Sequence, residues 1–597
     1  DEFFSLILLY LDFYIKSNHT LFIIMKNYKD ARKKVAGWIK VNQKELVYVL
    51  YGKKVDYFYK SFPIPKKNGE SRVIYAPKDE LKIIQKRLSQ KLYETHREYI
   101  RQYRIKSTIS HGYEQKRNII TNARRHKNKR YLLNIDISDF FPSFNFGRVQ
   151  GFFYKSREFS FSKEEATIIA QLVCYNGKLP QGAPTSPIIS NLIFNIVDLR
   201  ILSLAKKYKL YYTRYVDDLT FSTNHKRFKE TCSDFIKELT DLLKKNGFEI
   251  NQGKTRLEYY SSRQEVTGLT VNKKINASRN FINITRAMAN QLYRTDEFQI
   301  DGEKGSLEKL EGRFSFINQL DWFNNKLEHK IKKGNFSKRY NSGFNGREKQ
   351  YQYFLFYKYF FKPKKPTIVT EGKTDILHIK AALMKYSDRY PNLIVKEDNG
   401  TYKFKIYFLN KTKRLEYFLG ISVDGADTMK NIWNFYHGME NCFNIFKYLS
   451  VKNNNATLDK ANPVILLFDN EQEKNRPLKK FLNYTKINLE EANICQKLNF
   501  NLYLQTIPLI GKLDKCEIED LYQEETLNLT INGKKFSRDA KFDQKIYFGK
   551  AIFSRYIIDH YNEIDFSNFI KLLDSINRIC IKDQNAYLDI NNKVLSN

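Results

Sequence analysis

The chain reads as an α+β region followed by an α/β region built on a parallel sheet. Three observations predict this. In the first half, Tyr131–Phe141 and Tyr212–Ser222 alternate apolar with polar residues and run into aspartates, among segments of helical period. In the second half, Thr367–Thr370 and Pro463–Phe468 are short buried-strand runs ending in acids, the first of them followed by helix-period Ile376, Ile379 and Leu383. At 597 residues and 42% hydrophobic content the chain has the length for three or four domains and the material for their cores.

Lys+Arg outnumber Asp+Glu by 102 to 65, a net charge of +37, which points to a polyanionic partner such as nucleic acid; richness in Lys, Asn, Ile, Tyr and Phe contributes part of that excess through base composition. The six cysteines are scattered without CxxC or Cys/His spacing, so they read as reduced thiols and not as a zinc site or disulfide framework. Phe3–Ile15 is apolar but short, broken by Asp12 and preceded by Asp1-Glu2 in place of a basic segment. Residues 1–24 therefore read as a leader upstream of the native start, and the protein as cytoplasmic with no membrane partner.

From residue 26 to about 59 the pattern predicts two short helices with basic faces. Phe62–Pro77 predicts a hairpin with Lys66, Lys67 and Arg72 at its basic end, leading into an amphipathic helix from Asp79 to about Arg97 whose apolar stripe is Leu81, Ile84, Leu88 and Leu92. Tyr131–Asp136 predicts a strand ending in a carboxylate. Leu179–Pro187 is a Pro/Gly turn before a helix, where small residues let backbone approach a ligand closely. Tyr212–Ser222 predicts two strands around Asp217-Asp218. Adjacent carboxylates repel, and folding gains from holding them together only around a cation, for which a hard divalent metal is the natural choice. If the Asp136 strand neighbours this hairpin, three carboxylates surround a metal pair, the composition two-metal phosphoryl transfer needs. Gly247–Asn251, Lys254 and the strand Val266–Asn272 follow.

The ordered set Asn134-Ile135-Asp136, Pro180-Gln181-Gly182, Tyr215-Val216-Asp217-Asp218 and Lys254 strongly resembles the reverse transcriptases, right-hand polymerases with fingers, palm and thumb. Asn122-Ala123-Arg124-Arg125-His126 matches the NAxxH element, and Val266-Thr267-Gly268 the VTG element, of the retron group. The resemblance implies that Asp136, Asp217 and Asp218 are catalytic and bind two Mg²⁺, and that Phe141 is the aromatic gate against a ribose 2′-OH. It further implies that Arg72 with Lys66 or Lys67 holds the triphosphate, that Gln181 and Gly182 line the nucleotide and template path, and that Lys254 assists the leaving pyrophosphate. RNA contacts are expected at Asn122, His126, Val266, Thr267 and Gly268, and at Lys332 and Lys333 of the thumb. Fingers and palm are expected over 25–275, the thumb over 276–348 and a stiff basic linker over 349–366.

Glu371-Gly372 after one buried strand and Asp469-Asn470-Glu471 after another resemble the Toprim domain of topoisomerases, primases and OLD-type nucleases. That resemblance implies a Toprim domain with a parallel sheet over 367–480, Glu371 as general acid/base, and Asp469 and Glu471 as ligands of one or more Mg²⁺. Its third acid is Glu471 where the family pattern has Asp, which loosens the expected geometry. Asp424, Asp427, Glu519 and Asp520 are candidates for a second metal and read more readily as solvated surface, and 481–597 reads as an extension packed on the Toprim domain.

Together these features resemble the Toprim-fused class of retron proteins. Membership implies a cognate structured noncoding RNA as primer and template, priming from a guanosine 2′-OH with dNTPs, an RNA-linked multicopy single-stranded DNA, a host RNase H to remove template, and an effector role in anti-phage defence. Oligomerisation is left open. The rival expectations are a group II intron-like reverse transcriptase and a toxin–antitoxin scaffold with a non-catalytic Toprim module.

Overall fold

A computed structural model describes residues 26–65, 69, 71–105, 108–327, 344–422, 427–439, 442–453, 461–489, 494–539 and 541–581. The leader 1–24, Lys66, Lys67, Lys332, Lys333 and Asp424 lie outside the described residues. The chain forms two compact units, Asp1–Ser278 and Arg279–Asn597.

In the first unit, β1 (Tyr59–Pro65) and β2 (Ser71–Pro77) form the expected antiparallel hairpin. It leads into the helix Asp79–Gln102, which buries Leu81, Ile84, Leu88 and Leu92 as one stripe and carries Asp79 and Glu80 in its first turn, where the helix dipole favours negative charge. The centre is an antiparallel sheet of β3 (Tyr131–Ser138), β4 (Tyr211–Tyr215), β5 (Asp218–Thr223) and β6 (Glu249–Tyr259), in the order β4-β5-β3-β6. β3 is an inner strand buried over most of its length, which is why its sequence is nearly continuous Tyr, Leu and Ile. The helices Ser186–Lys207 and Phe228–Lys245 contribute Phe194, Ile201, Phe235 and Leu239 to the same core. Ser186–Lys207 is the one helix among the described residues long and apolar enough to cross a membrane, and most of it is buried within the protein.

The second unit is organised on β7 (Thr367–Thr370), β8 (Tyr407–Phe408), β9 (Val464–Phe468), β10 (Cys495–Asn499) and β11 (Leu502–Thr506), in the order β8-β7-β9-β11-β10. The first four in that order are parallel and β10 is antiparallel. β9 is buried on both faces: Val464, Leu466 and Phe468 enter one core, and Ile465 and Leu467 the other.

Three boundaries differ from the expected ones. The linker expected over 349–366 is helical from Gly346 to Phe356 and continues as a wider π turn over Tyr357–Phe361, with Phe354, Phe356, Phe360 and Phe361 fully buried. Its aromatics, and not the Lys-Pro run behind them, decide its place. The helices Arg279–Thr295 and Leu307–Leu327, within the expected thumb, bury Leu292, Tyr293, Leu310 and Phe314 in the same core as Val369 and Leu466. The sheet does not close at residue 480 either: β10 and β11 come from beyond it, and the helices Lys550–Asp559 and Ile570–Cys580 bury Phe553, Leu572 and Leu573 against Ile368 and Ile465 in the second core. Without them β9 has an unpaired edge and an uncovered apolar face. A chain ended at residue 480 should therefore lose the cooperative thermal transition of the second unit, followed by circular dichroism, while the full chain keeps it.

Candidate functional site

The turn between β4 and β5 is Val216-Asp217. Val216 sits at φ +63°, a region costly for a β-branched side chain and held only where surroundings impose it. The Arg214 Nη1 donates to the Val216 carbonyl at 3.1 Å, and the Ile137 N–H donates to the Asp217 carbonyl at 3.1 Å. Arg214 is fully buried and donates to both carboxylate oxygens of Asp198, Nε to Oδ1 at 3.0 Å and to Oδ2 at 3.2 Å, and Nη2 to Oδ2 at 2.8 Å. Asp198 also accepts from the Tyr212 hydroxyl at 2.7 Å, and the guanidinium lies over the Phe194 ring at 4.7 Å. Asn191 accepts from Arg214 at 3.1 Å and donates to the Gly112 carbonyl at 2.8 Å. A Cβ on Gly112 would stand 2.6 Å from Val216 Cγ2 and 2.8 Å from the Val216 backbone nitrogen, so only glycine lets this segment approach the turn so closely. Sequence reasoning missed Arg214, Asp198, Asn191 and Gly112. The available signal was an arginine inside an apolar strand, which must find a buried acid.

This scaffold sets Asp136 and Asp218 opposite each other across β3 and β5, with Asp217 next to them at the turn. Burial first, and then the Asp136 charge, raise the pKa of Asp217. Asp218 still reaches solvent, yet the protein crowded around it, followed by the charges of Asp217 and Asp136, pushes it up to about 7. The Lys254 ammonium lies 2.9 Å from Asp136 Oδ2. Among the described residues no three Asp, Glu, His or Cys side chains converge as a closed metal cluster. The donors nonetheless fit hard divalent cations: three neighbouring carboxylates repel one another, Asp217 and Asp218 are held with raised pKa, and positive charge between them relieves that repulsion.

Arg72 stands exposed on β2 and its charge reaches Asp217 and Tyr113. The Tyr75 N–H donates to the Gln181 carbonyl at 2.8 Å, drawing the Pro-Gln-Gly turn against the hairpin. Gly182 has φ +120°, and a Cβ there would lie 2.7 Å from Ile74 Cγ2 and 2.8 Å from the Tyr75 carbonyl oxygen. Phe141 is largely buried beside Phe140, at a ring distance of 5.5 Å.

The retron-type elements differ from their expected role. Asn122 and His126 are fully buried, so direct RNA contact is closed to them. His126 hydrogen-bonds Ser222 Oγ through Nδ1 and Thr213 Oγ1 through Nε2, both at 2.7 Å, and Asn122 Oδ1 accepts from the same threonine at 2.5 Å. Burial pushes the His126 imidazole down to about 3, so it is neutral. Val266 is also fully buried; Thr267 and Gly268, at φ +47° and +79°, turn a short hairpin against which the helix Ile119–Arg125 lies.

In the second unit Glu371 and Asp469 follow the adjacent parallel strands β7 and β9, at their carboxyl ends. The Asp469 N–H donates to Glu371 Oε1 at 3.2 Å. A cavity of about 290 Å³ beside them is also lined by Asp375, Lys411 and Lys550. Burial pushes Glu371 up to about 8, and burial, Glu371, Asp375, Glu517 and Glu519 raise Asp469 well above the carboxylate range. Lys550 bonds Glu517 at 2.8 Å and Glu519 at 3.2 Å. Glu519 is therefore not solvated surface: its side chain is 1% exposed and faces this centre. Asp520 is turned away, onto Arg538. Glu471 is buried against Arg476 at 3.0 Å. Asp375, Glu517, Glu519 and Lys550 carried no readable spacing, because the last three lie well over a hundred residues from Glu371.

Residues 64–273 match the family model described as reverse transcriptase (RNA-dependent DNA polymerase), which places this enzyme among the RNA-directed DNA polymerases. The Retron Ec86 reverse transcriptase of Escherichia coli is 31% identical over 269 residues, 45% of this chain and 78% of that protein. The Retron Mx65 reverse transcriptase of Myxococcus xanthus is 31% identical over 285 residues, 44% of this chain and 61% of that protein. The chain belongs to the retron reverse transcriptase family. Among solved structures, the telomerase from Candida albicans in complex with a fragment of telomeric RNA aligns with 50% of this chain and 60% of its own, at 12% identity and a TM-score of 0.29, too low to bear on the fold.

Two outcomes follow from the titrations and the burial. Folded Asp218 titrates near 7 and an unfolded aspartate near about 3.9, so between these values the folded state holds more protons and stability falls as pH rises. Asp218→Asn should flatten that fall in melting temperatures of metal-free protein from pH 4 to 7, and divalent cation should oppose it in the wild type only. His126→Ala strands the Ser222 hydroxyl and leaves Thr213 held by Asn122 alone, and should cost roughly 1–3 kcal/mol in urea unfolding, with RNA affinity per folded molecule unchanged.

Proposed function

We propose that this enzyme copies a cognate structured noncoding RNA into multicopy single-stranded DNA that stays linked to it, priming from a guanosine 2′-OH and consuming dNTPs. The observation that carries this reading is the register setting Asp136 opposite Asp218 with Asp217 at the turn. Asp136, Asp217 and Asp218 would hold two Mg²⁺, which supply, when bound, the Lewis acidity that phosphoryl transfer requires. Arg72, whose charge already reaches Asp217, orients the triphosphate. The Gln181 and Gly182 backbone, bound to β2, lines the nucleotide path. Phe141 bounds the sugar side and excludes a 2′-OH. Lys254 carries a proton and a positive charge beside Asp136, suited to the departing pyrophosphate. Template removal falls to a host RNase H.

The second unit is proposed as a Toprim-type effector in anti-phage defence. Its support is Glu371 and Asp469 on neighbouring parallel strand ends, with Glu371 protonated near neutral pH as a general acid/base needs. Asp469 would hold Mg²⁺ there; Glu471, the other expected ligand, is engaged by Arg476. One observation favours a binding module without catalysis: the Lys550 ammonium already pairs with both Glu517 and Glu519.

Protein expressed with its flanking noncoding region should carry nucleic acid that RNase and DNase, applied separately on a denaturing gel, each shorten without abolishing. Asp217→Asn should leave RNA alone. Wild-type protein without RNA-linked DNA would reject the retron reading.

A further inference from the structure

Beside β4 in the first unit lies a cleft of about 550 Å³, lined by Arg117, Arg124, Arg125 and Lys129 together with His111 and Tyr211, and none of the described residues lining it is a carboxylate. Tyr211 begins β4 and Tyr215 ends it, so the cleft stands roughly 13 Å along the strand from the acidic turn. It has the marks of a built anion site. His111 is 5% exposed, and its Nε2 is buried there without a hydrogen-bond partner, while Nδ1 is bound to Thr121 Oγ1 at 2.9 Å. Burial first, and then the Arg117 charge, lower the His111 imidazole to about 4; a backbone hydrogen bond at Thr108 opposes them and the Arg125 charge adds to the lowering. The Lys129 ammonium lies over the exposed Tyr211 ring at 3.8 Å, which leaves an aromatic face at the cleft wall.

The display of these cations has a local cause. In Asn122-Ala123-Arg124-Arg125-His126 the first and last residues are locked inward by Thr213 and Ser222. The two arginines between them are thereby turned outward and exposed at the end of the helix Ile119–Arg125. Neither has an ion-pair partner among the described residues. Like charges are gathered on a surface at a cost, and a polyanion repays it.

We propose that this cleft grips the phosphodiester backbone of a nucleic-acid strand outside the catalytic centre, with Arg124 and Arg125 as its principal contacts. The proposal rests on the nucleic-acid polymerase reading above and adds to it a second, non-catalytic holding point.

The test is filter binding of an RNA hairpin and a DNA hairpin of the same sequence across a salt series. Arg124→Glu/Arg125→Glu should lose on the order of tenfold in affinity at physiological salt, with the log K against log salt slope shallower by about 2. Lys244→Glu/Lys245→Glu, the same charge change on an exposed helix end, should lose less than about twofold. Arg124→Lys/Arg125→Lys should stay near wild type, and matched melting temperatures would exclude misfolding. Loss on RNA alone assigns the strand to RNA, loss on DNA alone to DNA, and loss on both to the shared backbone. Equal losses in the two charge reversals, or none in either, would overturn the proposal. If RNA-linked DNA is absent while the arginine variant still loses hairpin binding, the retron reading fails and the cleft stands; the opposite pair of results removes the cleft alone.

Discussion

The first unit depends on a buried ion pair. Arg214 and Asp198 are both removed from water, and neither charge is tolerable there without the other. Bidentate geometry, the Tyr212 hydroxyl, Asn191 and the Phe194 ring together satisfy them. The guanidinium keeps one donor for the Val216 carbonyl, so the same pair that anchors helix to sheet also holds the strained turn carrying Asp217 and Asp218. Gly112 closes the space beneath. The acidic turn is thus imposed from behind, which frees its carboxylates to face the ligand side.

Both units place carboxylates at strand ends, by different routes. In the first, an antiparallel register brings Asp136 to Asp218 at an open surface, and Lys254 moderates the charge. In the second, parallel strand ends bring Glu371 to Asp469 beside a cavity, and Lys550 clamps two further glutamates. In each the protein stores like charge it does not neutralise fully. Burial first, and then the neighbouring like charges, raise the carboxyl pKa values of Asp218 and Glu371 in consequence.

The retron-type elements act through the fold. Asn122, His126 and Val266 are interior residues whose polar or apolar surface is consumed by the sheet and its hairpin. Their neighbours Arg124 and Arg125 are what the surface presents. A motif can therefore mark a family while its most distinctive side chains never meet the ligand.

Strand ends, acidic turns and the helical stripe of Leu81, Ile84, Leu88 and Leu92 were legible because they are local: a period of two or of 3.6 records which face a residue takes. The order of the polymerase motifs was legible for the same reason, together with the residues that carry them. The sequence by itself determined what chemistry the chain holds and roughly where along its length. Only the tertiary structure decided that Asp198 answers Arg214, that Glu519 and Lys550 join Asp469 beside Glu371, that Asn122 and His126 point inward, and that strands beyond residue 480 complete the second sheet. Periodicity says whether a side chain is buried. Which partner it is buried against is settled by strand order and packing between segments far apart in the chain, and no local pattern encodes that choice.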